Sequence, residues 1–288
     1  MMFRTSLLCA VLATTLPAAH AAVSLTLTTD PSGLFQSFEY TQDFDSLSSV
    51  NSTTANRAWT NDKTLPGWSL FNGQKAALTY YRASAGGESS GYVYSFGLDG
   101  NTDRALGSVA TGGTYLGSPA ENAISSYMAL ALRNDSGAAL SGITVLWDAE
   151  QWRVGENNQS TDTMDFRIGY GDSFASVQNW INPGSDFKYN TAIRNTASTA
   201  GYANDGNLNG IVYMGGDIAT NWQPGQTLWL TWIDYNSAGY DHGVAIDNLF
   251  VSTAVSAVPE PAALSMLLGG LGVLSILVWR RRAVVRVA

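Results

Sequence analysis

Residues 227–233 read TLWLTWI, and residues 243–252 read GVAIDNLFVS. Each run is rich in β-branched and aromatic side chains, and each is too short for a buried helix. The segment between them, 234–242, is polar and carries Gly239, so the runs are predicted as two strands joined by a long hairpin loop. Upstream the pattern repeats. Residues 23–28, 92–96, 104–109 and 165–170 read as short strands, while 67–71 ends in an Asn72-Gly73 turn signal before 77–82 resumes. Residues 126–133 and 143–153 flank the turn formers Asn134-Asp135-Ser136-Gly137. The stretch 37–47 reads as one strand or two, and 51–64 and 171–209 are irregular. About ten to twelve strands with no amphipathic helix between them predict an all-β fold: a single antiparallel β-sandwich, jelly-roll or lectin-like, over residues 22–257.

Composition narrows the chemistry. The chain has 288 residues, with 15 Lys+Arg against 23 Asp+Glu. Arg4, the apolar run 7–16 and the small-x-small triplet Ala19-His20-Ala21 predict a secretory signal peptide over 1–21, cut by signal peptidase between Ala21 and Ala22. Cys9 does not read as a lipid-attachment site, because Leu8 before it is too large. Without the two ends, ten basic and 22 acidic side chains remain, a net charge of about −12. That surface argues against nucleic acid as a partner and is compatible with bound Ca²⁺. With Cys9 and His20 removed, the body keeps no cysteine and only His242. Disulfides, a thiolate nucleophile and multi-histidine metal sites are thereby excluded.

Residues 258–288 read VPEPAALSMLLGGLGVLSILVWRRRAVVRVA. The segment 262–279 carries no charge, and as a helix it would span roughly 27 Å, close to a bilayer's hydrocarbon core. Arg280, Arg281 and Arg282 follow at once, which places that side in the cytoplasm and the body outside. The order Pro259-Glu260-Pro261, apolar segment, arginines resembles the PEP-CTERM sorting signal of Gram-negative bacteria. That resemblance implies that exosortase, a membrane-embedded cysteine protease-transpeptidase, cuts at or near the tripeptide, so the inner-membrane helix is a transient handle. It also implies an association with exopolysaccharide and biofilm, at the cell surface or in the extracellular matrix.

Three constellations could carry chemistry in the body. Asp43 and Asp45 flank Phe44 early in the chain, and Asp247-Asn248 interrupts the apolar run 244–251. An ionised Asp in such a run is costly unless it is paired. The pattern resembles carbohydrate-binding β-sandwich modules and related jelly rolls, which implies a structural Ca²⁺ shared by Asp45 and Asp247; the plainer reading is turn hydrogen bonding at a strand edge. Second, Asp234, Asn236 and Asp241 lie in or beside the 234–242 loop without EF-hand spacing, and read as turn formers. His242 beside Asp241 is a candidate general base, but no Gly-x-Ser-x-Gly nucleophile accompanies it. Third, Asp148 and Glu150 share one strand face, roughly 6–7 Å apart at the backbone, a separation suited to a glycosidase pair. The plainer reading pairs Glu150 with Arg153 or another arginine. Trp147 and Trp152, five positions apart, should face opposite ways, with one of them outward. Sheet packing is the favoured role for most of the body's tryptophans, sugar stacking the alternative.

As a whole the body is similar to a recurring β-sandwich of exported bacterial proteins that often carry the same signal. The shared pieces are Tyr81-Arg82, 94–97 (YSFG), 103–108 (DRALGS), 150–153 (EQWR) and 241–247 (DHGVAID). That resemblance implies one domain and brings no activity with it. The expectation is a non-enzymatic exported surface or matrix protein; the alternatives are a carbohydrate-binding module and a glycan hydrolase on the same sandwich.

Overall fold

The computed structural model describes residues 22–29, 35–196 and 199–256. The predicted signal peptide 1–21, the sorting residues Pro259, Glu260 and Pro261, the apolar segment 262–279 and Arg280, Arg281 and Arg282 lie outside the described residues. Among the described residues no helix is long and apolar enough to cross a membrane.

The first eight strands are β1 (Val23–Leu25), β2 (Thr28–Thr29), β3 (Phe35–Gln42), β4 (Arg57–Ala58), β5 (Trp68–Asn72), β6 (Tyr80–Ser84), β7 (Tyr92–Phe96) and β8 (Ala105–Val109). The longer ones follow: β9 (Ile124–Asn134), β10 (Leu140–Val154), β11 (Thr163–Tyr170), β12 (Lys188–Asn190), β13 (Tyr202–Ala203), β14 (Val212–Trp222), β15 (Thr227–Tyr235) and β16 (Gly243–Ser256). They form two sheets. The smaller runs β1-β9-β15-β11-β12, with β5 also on β9; the larger runs β13-β10-β16-β8-β7-β6-β4, with β14 on β10 and β3 and β2 beyond β16. The opening pair of sequence runs, β15 and β16, lies in different sheets, so their connection is a crossing between layers and not a hairpin.

Alternation explains the layering. On β10, Ile143, Val145, Trp147 and Ala149 point into the space between the sheets and meet Met128, Leu130, Phe166 and Trp232 from the smaller one. The rings pack edge and face: Trp68 stacks on Trp232 with centroids 5.5 Å apart, and Trp147 meets Trp232 edge-on at 5.7 Å. Trp59, Trp68, Trp147, Trp152, Trp222, Trp229 and Trp232 are all buried, as the packing reading expected.

Some expectations change. The stretch 37–47 is one strand followed by a turn, and two of the pairings, β1 with β9 and β6 with β7, are parallel. β14 was not expected, because Gly215 and Gly216, both at positive φ, break its alternation. At Gly215 a Cβ would sit 1.9 Å from the Val145 carbonyl oxygen across the ladder, so a side chain is sterically barred where the strand meets β10.

Candidate functional site

β16 changes partner halfway along its length. Residues 243–246 pair with β8 and residues 249–256 pair with β3, while β10 runs along the other edge through a register shift between Leu146 and Asp148. The residues left over are Asp247 and Asn248, with Asn248 at φ 49 in a bulge. The split draws together residues far apart in sequence. The turn after β3 brings Asp45 to the start of β8, where its Oδ1 accepts the Arg104 amide at 3.0 Å. Asp247 lies across the ladder from Asp148, whose Oδ2 accepts Asn248 Nδ2 at 2.9 Å. Two separate sequence candidates, Asp45 with Asp247 and Asp148 with Glu150, thus belong to one acidic locus on the outer face of the larger sheet.

Its electrostatics follow from burial. Asp247 is buried, and loss of solvent pushes its carboxyl up to about 9; the nearby Glu150, Asp103 and Asp45 add to the rise while the Asn248 amide opposes it. Glu150 is pushed up to about 7 by burial, against a 2.7 Å hydrogen bond donated by Trp152 Nε1. The expected Glu150–Arg153 pair is not formed: the Arg153 guanidinium donates to the carbonyls of Gly86 and Gly87 instead. Trp152 does face away from Trp147, yet it is fully buried, because residues 202–206 fold over the outer face and Asn204 hydrogen bonds the Trp152 carbonyl at 2.8 Å. A small separate core of Tyr94, Phe96, Ala105, Val109, Trp152 and Ala245 results. Glu150 lies sealed beneath it, whereas Asp148 stays half-exposed.

In the pair expected to share calcium, one oxygen of each carboxylate already accepts a backbone amide. Asp45 is exposed with Oδ1 taken by a backbone amide, and Asp247 Oδ1 accepts the Asn248 amide at 2.7 Å. Among the described residues no three Asp, Glu, His or Cys side chains are grouped so as to hold a metal ion.

Below the bulge the outer face is open. Leu146 and Phe250 face each other across β10 and β16, and Tyr213 on β14 stands opposite Asp148 with 85% of its surface exposed. Sequence reading missed Tyr213 because β14 itself was missed.

The 236–242 loop, at the end where β16 begins, is held from beneath by buried acids. Asp234 is fully buried and accepts Ser108 Oγ at 2.5 Å; Asp241 Oδ1 accepts the Ser237 amide at 2.7 Å; Asp162 Oδ2 accepts the His242 amide at 2.5 Å. Burial, reinforced by Asp162, pushes Asp241 up to about 8. His242 has no free lone pair to act as a base. Its Nδ1 accepts the Gly155 amide at 2.9 Å, which leaves Nε2 as the protonated nitrogen, 3.3 Å from the Ser160 carbonyl. Burial lowers the imidazole pKa, so the neutral ring is the favoured form.

Comparison with curated proteins finds no match. Among solved structures, the chain is similar to the CBM22-1 xylan-binding domain of Paenibacillus barcinonensis Xyn10C, at 8% identity over 83% of this chain and 100% of that one, with a TM-score of 0.34. It is also similar to the K3 adhesin domain of Lys-gingipain from Porphyromonas gingivalis, at 10% identity over 68% and 98% of the two chains, TM-score 0.36. A third is the mannan-recognising carbohydrate-binding module TmCBM27, at 10% identity over 69% and 96%, TM-score 0.31. Past the last residue of β16, residues 257–282 match the family model described as the PEP-CTERM protein-sorting motif. The chain therefore carries a PEP-CTERM sorting motif, with the export and processing by exosortase that this motif implies.

Proposed function

We propose that this protein is a non-enzymatic component of the bacterial surface or extracellular matrix. Signal peptidase releases it at Ala21–Ala22, the segment 262–279 holds it in the inner membrane, and exosortase cuts near Pro259-Glu260-Pro261. The sandwich then joins exopolysaccharide outside the cell. The observation that carries this reading is the sorting motif at 257–282, which directly follows the last strand of the body. Intact-mass measurement in cells with and without exosortase tests it. The expected product ends near residue 259 only when the enzyme is present; an unshortened chain in both strains sinks the proposal.

A second reading makes the body a carbohydrate-binding module, and the open sheet face favours it. Tyr213 offers an exposed ring beside Leu146 and Phe250, while Asp148 and Asn248 supply hydrogen-bonding groups on the same face. The C–H face of a pyranose stacks on such a ring while its hydroxyls take the polar groups. On a glycan panel, Tyr213→Ala is expected to weaken binding of an oligosaccharide about tenfold. Equal retention of the variant and the parent would remove this face from consideration.

A further inference from the structure

Two Asn-Gly steps occur in the chain, Asn72-Gly73 and Asn209-Gly210. Such a step is chemically labile, because glycine has no side chain to keep its amide nitrogen from the carboxamide carbon of the asparagine before it. In a folded protein the reaction depends on how firmly both groups are held. The structure holds the two steps very differently.

At Asn72 the side chain is locked. Its Oδ1 accepts the amides of Gln74 at 3.0 Å and Ala76 at 2.9 Å, and the Gly73 amide donates to the Leu116 carbonyl at 3.4 Å. Gly73 is also pressed against the start of β9, where a Cβ would lie 2.0 Å from the Ile124 carbonyl oxygen. Turning either reacting group toward the other breaks hydrogen bonds in packed surroundings.

At Asn209 the reacting groups are not held. The residue is exposed, and among the described residues neither its carboxamide nor the Gly210 amide makes a hydrogen bond. Gly210 takes φ 86, and the nearest atom to a Cβ there lies 3.5 Å away, so the peptide has room to turn. One solvent-exposed bond ties that peptide, from Asn204 Nδ2 to the Asn209 carbonyl at 2.9 Å.

The surrounding segment is the cover over Trp152. Asn204 Nδ2 also donates to the Gln151 carbonyl, and Gly206 lies so close to the indole that a Cβ would be 2.5 Å from Trp152 Nε1. Asn207 Nδ2 donates to Asp103 Oδ2 at 2.7 Å, and beyond residue 209 the Gly210 carbonyl accepts Tyr189 Oη at 3.2 Å. Residue 209 is thus a free link between anchored points.

We propose that Asn209 is a site of spontaneous deamidation that loosens this cover as the protein ages. The Gly210 nitrogen gives up its proton to hydroxide and attacks Asn209 Cγ. The new N–Cγ bond forms, the Cγ–Nδ2 bond breaks, and Nδ2 leaves as ammonia with a proton returned by water. Water then opens the cyclic imide. Opening at Cγ gives aspartate; opening at the main-chain carbonyl gives isoaspartate, in which the chain runs on through Cγ. The co-reactant is water, and nothing is oxidised or reduced. In the isoaspartate the carbonyl held by Asn204 no longer links to Gly210, and the chain between the anchors is longer by one methylene. A new carboxylate also joins the Asp103 and Asp205 side of the acidic locus. Both changes favour lifting of the cover from Trp152 and Glu150. The inference depends on neither the sorting nor the sugar reading.

The test uses the full chain in detergent, warmed in mildly alkaline buffer and sampled over days by peptide mapping and hydrogen–deuterium exchange. Residue 209 is expected to gain the mass difference between NH₂ and OH at least about tenfold faster than residue 72, whose two Oδ1 bonds must break first. In denaturant the two steps should react at similar rates. Asn209→Gln changes an exposed side chain without a bond, so it folds, and its longer side chain closes the ring far more slowly. As residue 209 converts, peptides covering 151–153 and 203–206 should lose protection in the parent and keep it in Asn209→Gln. Equal native rates at 72 and 209, or conversion of 209 only in denaturant, overturn the site. Protection that is unchanged after conversion, or lost equally in Asn209→Gln, overturns the link to the cover.

Discussion

Inserting ten Gly and Ser residues after Ser256 speeds removal of the tail by about tenfold or more. The last eight residues of β16 pair one by one with β3, ending at Ser256 opposite Phe35. The sorting motif begins at residue 257. Pro259 therefore lies three residues past the ladder, within about 10 Å of fully extended chain. A protease takes its substrate as a stretched segment with several residues on each side of the cut. The upstream residues of that segment are already committed to the sheet. Freeing residues 253–256 gives up several ladder hydrogen bonds, at about 0.5–1.5 kcal/mol net each, partly offset by recovered chain entropy. A flexible insert removes that cost without altering the motif. Pulse–chase of the parent and the insert in exosortase-bearing cells reads the effect directly. Equal rates would mean that the cut falls farther from the body than the tripeptide, or that the β16 end is already free.

The second large effect is on stability. Glu150, Asp241 and Asp247 are pushed up to about 7, 8 and 9 respectively, in each case chiefly by burial. The fully buried Asp234 is raised well above its ordinary value for the same reason. An unfolded carboxyl titrates near 4. Each group thus binds its proton more tightly in the folded state, so the stability it contributes is complete below pH 4 and is lost as pH rises through its folded value. The melting temperature should fall steadily between pH 5 and pH 9, by at least about 10 °C. Asp247→Asn should recover about half of the loss at pH 9 and change little at pH 5, since the amide oxygen still accepts the Asn248 N–H. EDTA should leave both curves where they are, because burial accounts for these shifts without a bound ion. A melting temperature that rises toward pH 9, or one that drops on chelation, would contradict this account.

The two predictions rest on different kinds of legibility. The first draws on a linear motif. Pro259-Glu260-Pro261, an uncharged run and three arginines act through their order along the chain, so they can be read without any fold. The second depends on Asp247, whose oddness was visible as a carboxylate inside an apolar run. Its surroundings were not visible, because they are created where β16 leaves β8 for β3. Asp103 and Asp45 reach that point from the ends of two other strands.

The same division holds through the molecule. Short-range pattern alone established the all-β class, the strands at 227–233 and 243–252, the burial of most tryptophans and the sorting address, because each depends on residue type, on order along the chain or on period-two alternation. Alternation says which side of a strand a residue takes, and Trp147 and Trp152 do take opposite sides. It does not say what covers that side: residues 202–206 bury Trp152, and Trp152 in turn claims Glu150 from the expected arginine. β14, the crossing of β15 and β16 into different sheets and the neutral tautomer of His242 likewise arise from contacts between distant segments. Those contacts are set by three-dimensional packing, for which a one-dimensional period carries no information.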